Sequence, residues 1–241
     1  MFLTKIELDP TRRLARKYLG SPQVMHAVVL GAAGDSGGGE TDDGSGRVLW
    51  RVDRGAMTTL YLLSPSEPDC SQIVTEAGAA GVPARTLDYS PFLERLDADQ
   101  LWAFRLAANP SYSASRGPGM RGKRFGHVTV EQQRQWLLSR APGYGFELVP
   151  AVAGRESAER VEDADESANL VVVRRERPIF SRRRPGSKTH DRVTINRTVY
   201  EGVARVTDPD ALRHALIAGI GRSKAYGCGL MTLARVRVRR G

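Results

Sequence analysis

The hydrophobic pattern changes period within the first thirty residues, and that change narrows the folds open to this chain more than any other feature. Residues 2–8 set Phe2, Thr4, Ile6 and Leu8 on one face and Leu3, Lys5 and Glu7 on the other, the two-residue period of a strand. Ser21-Pro22 then supplies a helix N-cap and a proline for the first helical position, and Val24, Met25, Val28 and Val29 recur at helical spacing through Gly31. Apolar-rich runs at 47–53 and 56–63, joined by Arg54-Gly55, read as a hairpin. A short helix through 69–80 and a strand at 101–108 follow. The first part therefore runs strand, helix, strand, strand, helix, strand.

That order is the ferredoxin-like, or RRM-like, arrangement. Thr129 with Gln132 forms a capping box for a helix ending near Arg140, and Ala141-Pro142-Gly143 marks a boundary. Beyond it, strands are expected at 146–152, 170–173 and 192–206, with an acidic linker at 156–166. Asp208-Pro209 caps a helix whose Leu212, Ala215, Leu216 and Ile220 share a face. The last strand runs from 230 to about 238, where Val236 and Val238 alternate with Arg235, Arg237 and Arg239. The second half reads as a distorted copy of the first. The expected class is α+β, with two tandem ferredoxin-like domains at residues 1–142 and 143–241. Residues 34–46 have almost nothing to bury and are expected to form a loop. No strand precedes this loop, no Gly-Lys-Ser/Thr follows it, and Asp42-Asp43 repels phosphate, so it is not a nucleotide cradle.

The 241 residues carry 36 Lys+Arg against 27 Asp+Glu, and 31 of those cations are arginines, whose forked guanidinium suits bidentate phosphate contact. The charge is uneven: residues 1–170 sum to −3 and residues 171–241 to +12, which makes the C-terminal third a candidate polyanion surface. No apolar run approaches the ~20 residues of a membrane span, and residues 1–10 carry Lys5, Glu7 and Asp9, so a cytoplasmic protein is expected. Cys70 and Cys228 stand at no finger-like spacing with the four histidines. Reduced thiols, no metal site and no cofactor are expected.

Arg174, Arg175 and Arg177, with Arg182, Arg183 and Arg184, flank Pro178-Ile179-Phe180 and precede a turn at 185–191. They read as a basic β-hairpin suited to the groove of an RNA stem, where shape and phosphate contacts prevail over base reading. In the run GIGRSKAYGCGLMTL at 219–233, Gly219, Gly221, Gly227 and Gly229 permit positive φ and close approach, and Arg222 and Lys224 add charge. Such a loop can offer N–H groups to phosphate, or simply pack a tight helix-to-strand connection. A basic Gly/Pro loop at 115–125 contributes Lys123 and Arg124. His26 falls at the edge of its helix's apolar stripe, beside Gln23 and Leu30, where a partly exposed imidazole can meet RNA. His127 precedes a helix cap and reads as structural.

The 219–233 run resembles the glycine-rich loop of the CRISPR-associated repeat endoribonucleases, and within them the CasE family of the type I-E Cascade complex. The likeness extends to MFLTKIELDP at the start, His26, FRLAANPSYS at 104–113, KRFGHVTVEQQRQWLL at 123–138 and EGVARVTDP at 201–209. It implies two RRM-like domains, cleavage of a CRISPR repeat RNA stem-loop, retention of the product hairpin, and other Cascade subunits as partners. It carries the catalytic histidine onto His26. In such cleavage the RNA 2′-OH is the nucleophile, so no metal is required and the products carry a 2′,3′-cyclic phosphate and a 5′-OH. Family members carry a tyrosine three residues before the histidine and often a lysine shortly after it, where this chain has Gln23 and Gly31. Tyr18, or an arginine among Arg12, Arg13 and Arg16, is the candidate helper in their place. A non-catalytic RNA-hairpin-binding subunit is the alternative, and a protein-binding scaffold is a remoter one.

Overall fold

The alternation at the amino terminus builds strand β1 (Phe2–Leu8), which buries Thr4, Ile6 and Leu8. The chain is described here by a computed structural model covering residues 1–34, 47–114, 123–149, 169–183 and 190–236. Helices α1 (Arg13–Gly20) and α2 (Pro22–Ala32) come next, and the Ser21 hydroxyl accepts the Val24 N–H at the start of α2. Strands β2 (Leu49–Arg54) and β3 (Thr58–Ser64) form the expected hairpin, followed by α3 (Ser71–Ala77). Helix α1 has no counterpart in the sequence reading because it buries only Ala15 and Tyr18 and is otherwise strongly basic.

The fourth strand of this sheet differs from expectation. It is the four-residue β4 (Arg85–Asp88), paired with β1, in a sheet ordered β2-β3-β1-β4 with every pairing antiparallel. Helix α4 (Ser90–Glu94) then leads to β5 (Leu101–Ala108), which opens a second sheet instead of closing the first. The physical reason lies in its burial. Phe104, Leu106, Ala107 and Ala108 are all buried, the profile of a central strand, whereas the largely exposed 85–88 segment suits an edge. The two sheets therefore divide between Asp88 and Leu101, not at Pro142.

After β5 the chain forms the separate hairpin of β6 (Ser111–Ala114) and β7 (Lys123–Gly126), and then helix α5 (Val130–Leu138), capped by the expected Thr129/Gln132 box. Strand β8 (Phe146–Leu148) is shorter than expected, and β9 (Leu170–Glu176) runs beyond its predicted end. Next come β10 (Ile179–Arg183), β11 (His190–Thr194), β12 (Arg197–Val206), α6 (Pro209–Ala218) and β13 (Met231–Arg235). Asp208 caps α6 by accepting the N–H groups of Asp210 and Ala211 at 3.0 Å. The order is β13-β5-β12-β8, with β9 also on β12. In each sheet the first strand lies between the last strand and the one before it. The predicted loop residues 35–46 and 115–122, the acidic linker, Arg184, and Arg237 to Arg239 lie outside the described residues.

One buried cation fastens the two sheets together. Arg51 on β2 is 1% exposed. Its guanidinium donates to the Arg105 carbonyl at 2.7 Å, the Leu230 carbonyl at 3.0 Å and the Thr232 hydroxyl at 2.8 Å, all in the second unit. It also grips both Asp53 carboxylate oxygens, at 2.8 and 2.9 Å. Leu49 and Leu63 of the first sheet pack in the apolar core of the second, so the fastening is apolar as well as polar.

Candidate nucleic-acid interface

The glycine loop leaves α6 and lies across the first unit. Gly219, Gly227 and Gly229 are buried; a Cβ on Gly227, at φ +76°, would stand 2.6 Å from the Trp50 ring of β2. Gly219, against Leu49, and Gly227 serve close packing between the units, and Gly229 packs within the loop against Ile220 and Lys224. Gly221, at φ +79°, is partly exposed and reaches the cleft described next. The Ile220 N–H donates to the Gly229 carbonyl, and the Gly229 N–H to Ala107 on β5. Between these anchors Arg222 is exposed and Ser223 and Lys224 are partly buried, with the Ser223 hydroxyl accepting from Asn109 Nδ2 at 2.8 Å.

Beside the loop is a cleft of about 670 Å³ whose lining includes Arg47, Arg177, Arg222 and Lys224 together with Asn109, Asn196 and Tyr226, and no carboxylate among the described residues. Burial, and then the nearby charge of Arg47, lowers the Lys224 pKa below its ordinary value. Cations held that close are the arrangement a bound phosphate relieves. Among the described side chains of the predicted basic cluster, Arg177 lines this cleft and Arg174 and Arg175 do not. Arg174 and Arg175 lie on β9 in the second sheet rather than on the hairpin: Arg174 pairs with Glu176 at 3.2 Å, and Arg175 donates to the Val128 carbonyl. The β10–β11 hairpin carries Arg182 and Arg183, and β7 carries Lys123 and Arg124. Arg47, Asn109 and Asn196 went unread in the sequence because they meet only in the folded chain.

His26 projects from α2 toward the glycine loop. Its ring stands edge to face with Tyr226, centroids 6.4 Å apart and planes at 63°. Gln23 is exposed and lines a different groove of about 460 Å³, shared with Ala27 and Gly31. The proposed helper Tyr18 is turned away: it is buried in the first core and its hydroxyl donates to Glu76 on α3. Burial, followed by that carboxylate, pushes its pKa up to about 12, far from a proton shuttle at neutral pH. Arg12 is also structural, donating to the Gly78 carbonyl at 2.9 Å and to Val74 at the C-terminal end of α3. Arg13 and Arg16 are exposed on α1. The His127 ring lies near Tyr112, centroids 5.0 Å apart and tilted by 41°, and its pKa is lowered by burial and then by Arg140.

Among the described residues no three His, Cys, Asp or Glu side chains gather as metal donors, and no helix is long and apolar enough to cross a membrane. Both cysteines are buried free thiols, and burial pushes the Cys70 pKa up to about 11.

The family described as CRISPR associated protein matches residues 1–235. A curated relative, the CRISPR-associated endoribonuclease Cse3 of Thermus thermophilus, is 29% identical over 237 residues, covering 97% of this chain and 100% of the relative. The solved structure of Thermus thermophilus Cse3 bound to an RNA representing a pre-cleavage complex superposes with a TM-score of 0.70 at 26% identity, covering 97% of this chain and 98% of that one. A chain of a CRISPR RNA-guided surveillance complex, pre-nicking, superposes with a TM-score of 0.60 at 27% identity, covering 98% and 100%.

Proposed function

The chain belongs to the CRISPR-associated protein family, in its CasE branch, and we propose from that premise that it is an endoribonuclease that cuts CRISPR repeat RNA within a Cascade-type complex. The observation that carries this reading is the cationic cleft next to the His26–Tyr226 pair, at the junction of the two units. The repeated strand order supports two tandem ferredoxin-like units, divided between Asp88 and Leu101. An RNA substrate suits the cytoplasmic location expected from the sequence.

The proposed reaction is internal transesterification, with no metal taking part. The 2′-oxygen forms a bond to phosphorus as the P–O5′ bond breaks, one proton leaves the 2′-OH, and one is delivered to the departing 5′-oxygen. His26 performs one of these two transfers. The cleft cations stabilise the negative charge that builds on the phosphorane, and they hold the product hairpin afterwards. The binding-only alternative draws on one observation: Gln23, where the family carries tyrosine, lies in the outer groove, and Tyr18 does not replace it.

Binding is testable apart from cleavage. A repeat stem-loop made uncleavable by a 2′-deoxy substitution is expected to bind about 10²-fold more weakly at about 200 mM salt than at about 50 mM, as release of roughly four phosphate counterions requires. Arg177→Glu, in the cleft, is expected to lower the salt slope by about one, and Arg174→Glu to change it less because Glu176 already holds that guanidinium. Affinity indifferent to salt would move the RNA site off this surface.

A further inference from the structure

Three aromatic rings from three separated stretches of the chain meet between the basic hairpin and the catalytic helix. Phe180 on β10 stands edge to face with Tyr226, centroids 4.7 Å apart at 61°, and Tyr226 stands in the same way against His26 at 6.4 Å and 63°. Both pairs fall in the range where edge-to-face rings attract and hold each other's orientation. Tyr226 is fixed from behind: its carbonyl accepts from Arg197 Nη2 at 2.6 Å, and the next residue, Gly227, is wedged against Trp50. The hairpin is less constrained, since among the described strands β10 and β11 pair only with each other. A two-stranded ribbon is marginal alone, so what it touches decides how it sits.

We propose that Phe180 and Tyr226 form a ring relay that sets the imidazole of His26 in its productive orientation when RNA seats on the β10–β11 hairpin. Tyr226 and Phe180 are positioning residues in this scheme, and the ring of Tyr226, not its hydroxyl, does the positioning. The proposal rests on the reading of His26 as a proton carrier, and it accounts for how that residue is held without the family's tyrosine at position 23.

The test pairs single-turnover cleavage with the ¹H–¹³C resonance of the His26 ring, observed with and without the 2′-deoxy stem-loop. Tyr226→Ala and Phe180→Ala are each expected to slow cleavage at saturating protein about 10- to 100-fold, the cost of a misplaced proton carrier. Tyr226→Phe keeps the ring and is expected to recover most of the rate. The double variant is expected to be no slower than Tyr226→Ala alone, because both residues act along one route. The His26 resonance is expected to move on Tyr226→Ala, and its response to RNA to be lost in Phe180→Ala, which also serves if Tyr226→Ala fails to fold. Wild-type rates in Tyr226→Ala, or a Tyr226→Phe as slow as Tyr226→Ala, would overturn the relay. A wild type that does not cleave would defeat the proposed reaction, yet the resonance would still decide the relay: no movement in either variant overturns it.

Discussion

His26→Ala is expected to slow single-turnover cleavage of the cognate repeat stem-loop by about 10²–10⁴-fold, the scale of acid–base catalysis, while RNA affinity changes little. Alanine is the best helix former, and α2 keeps its Ser21 cap and its buried Pro22, Met25 and Val29, so the helix persists when the imidazole is removed. The cations of the cleft come from other elements, which separates binding from chemistry in space. A variant that cleaves within a few-fold of wild type would pass the proton transfer to another group.

Arg51→Ala is expected to destabilise the folded chain by about 3–5 kcal/mol, because it removes a fully buried guanidinium and strips the partly buried Asp53 carboxylate of its main partner. Among the described residues, Asp53 would retain Arg105 alone, at 3.3 Å. The carbonyls of Arg105 and Leu230 would also lose their donor, and an unpaired buried acceptor costs more than the bond it once made. In a chain of this size the loss should appear as a fall in Tm of about 10 °C or more. Arg51→Lys is expected to fall between the two, since an ammonium keeps the charge but cannot hold Asp53 with two parallel bonds. An unchanged melting curve for the alanine variant would mean that apolar packing around Leu49 and Leu63 joins the units unaided.

What the sequence made legible was local. The Ser21 cap, the Thr129/Gln132 box and the Asp208 cap are signals spanning three or four residues, and each opens a helix as expected. Alternation found β1, and two apolar-rich runs joined by Arg54-Gly55 found the β2–β3 hairpin, for the same reason. Alternation does not say which sheet a strand enters. The 101–108 strand joins β12 and β13 through pairings such as Arg105 with Glu201 and Thr232, far along the chain. The four-residue β4 carries too little pattern to be seen at all.

The candidate site divides along the same line. His26 was legible from helical spacing and from the glycine loop's resemblance. Tyr226 was not, although it sits inside the quoted motif, because its ring meets the histidine only when the loop folds onto the first unit. Tyr18 was chosen for its nearness in sequence, but it belongs to a different helix and is spent on Glu76. Positive φ at the glycines was foreseen, yet only the folded chain shows that Gly227 is packed against Trp50.

The central claim is that this chain promotes attack by the RNA's own 2′-OH. Its most direct measurement is a single-turnover incubation of the protein with its cognate repeat stem-loop in EDTA, beside the same RNA lacking only the 2′-hydroxyl next to the scissile phosphate. Cleavage of the first to a 2′,3′-cyclic phosphate and a 5′-OH, with tight binding and no cleavage of the second, is the predicted result. Cleavage that survives the 2′-deoxy substitution, or tight binding of the natural repeat with no cleavage at all, would contradict it.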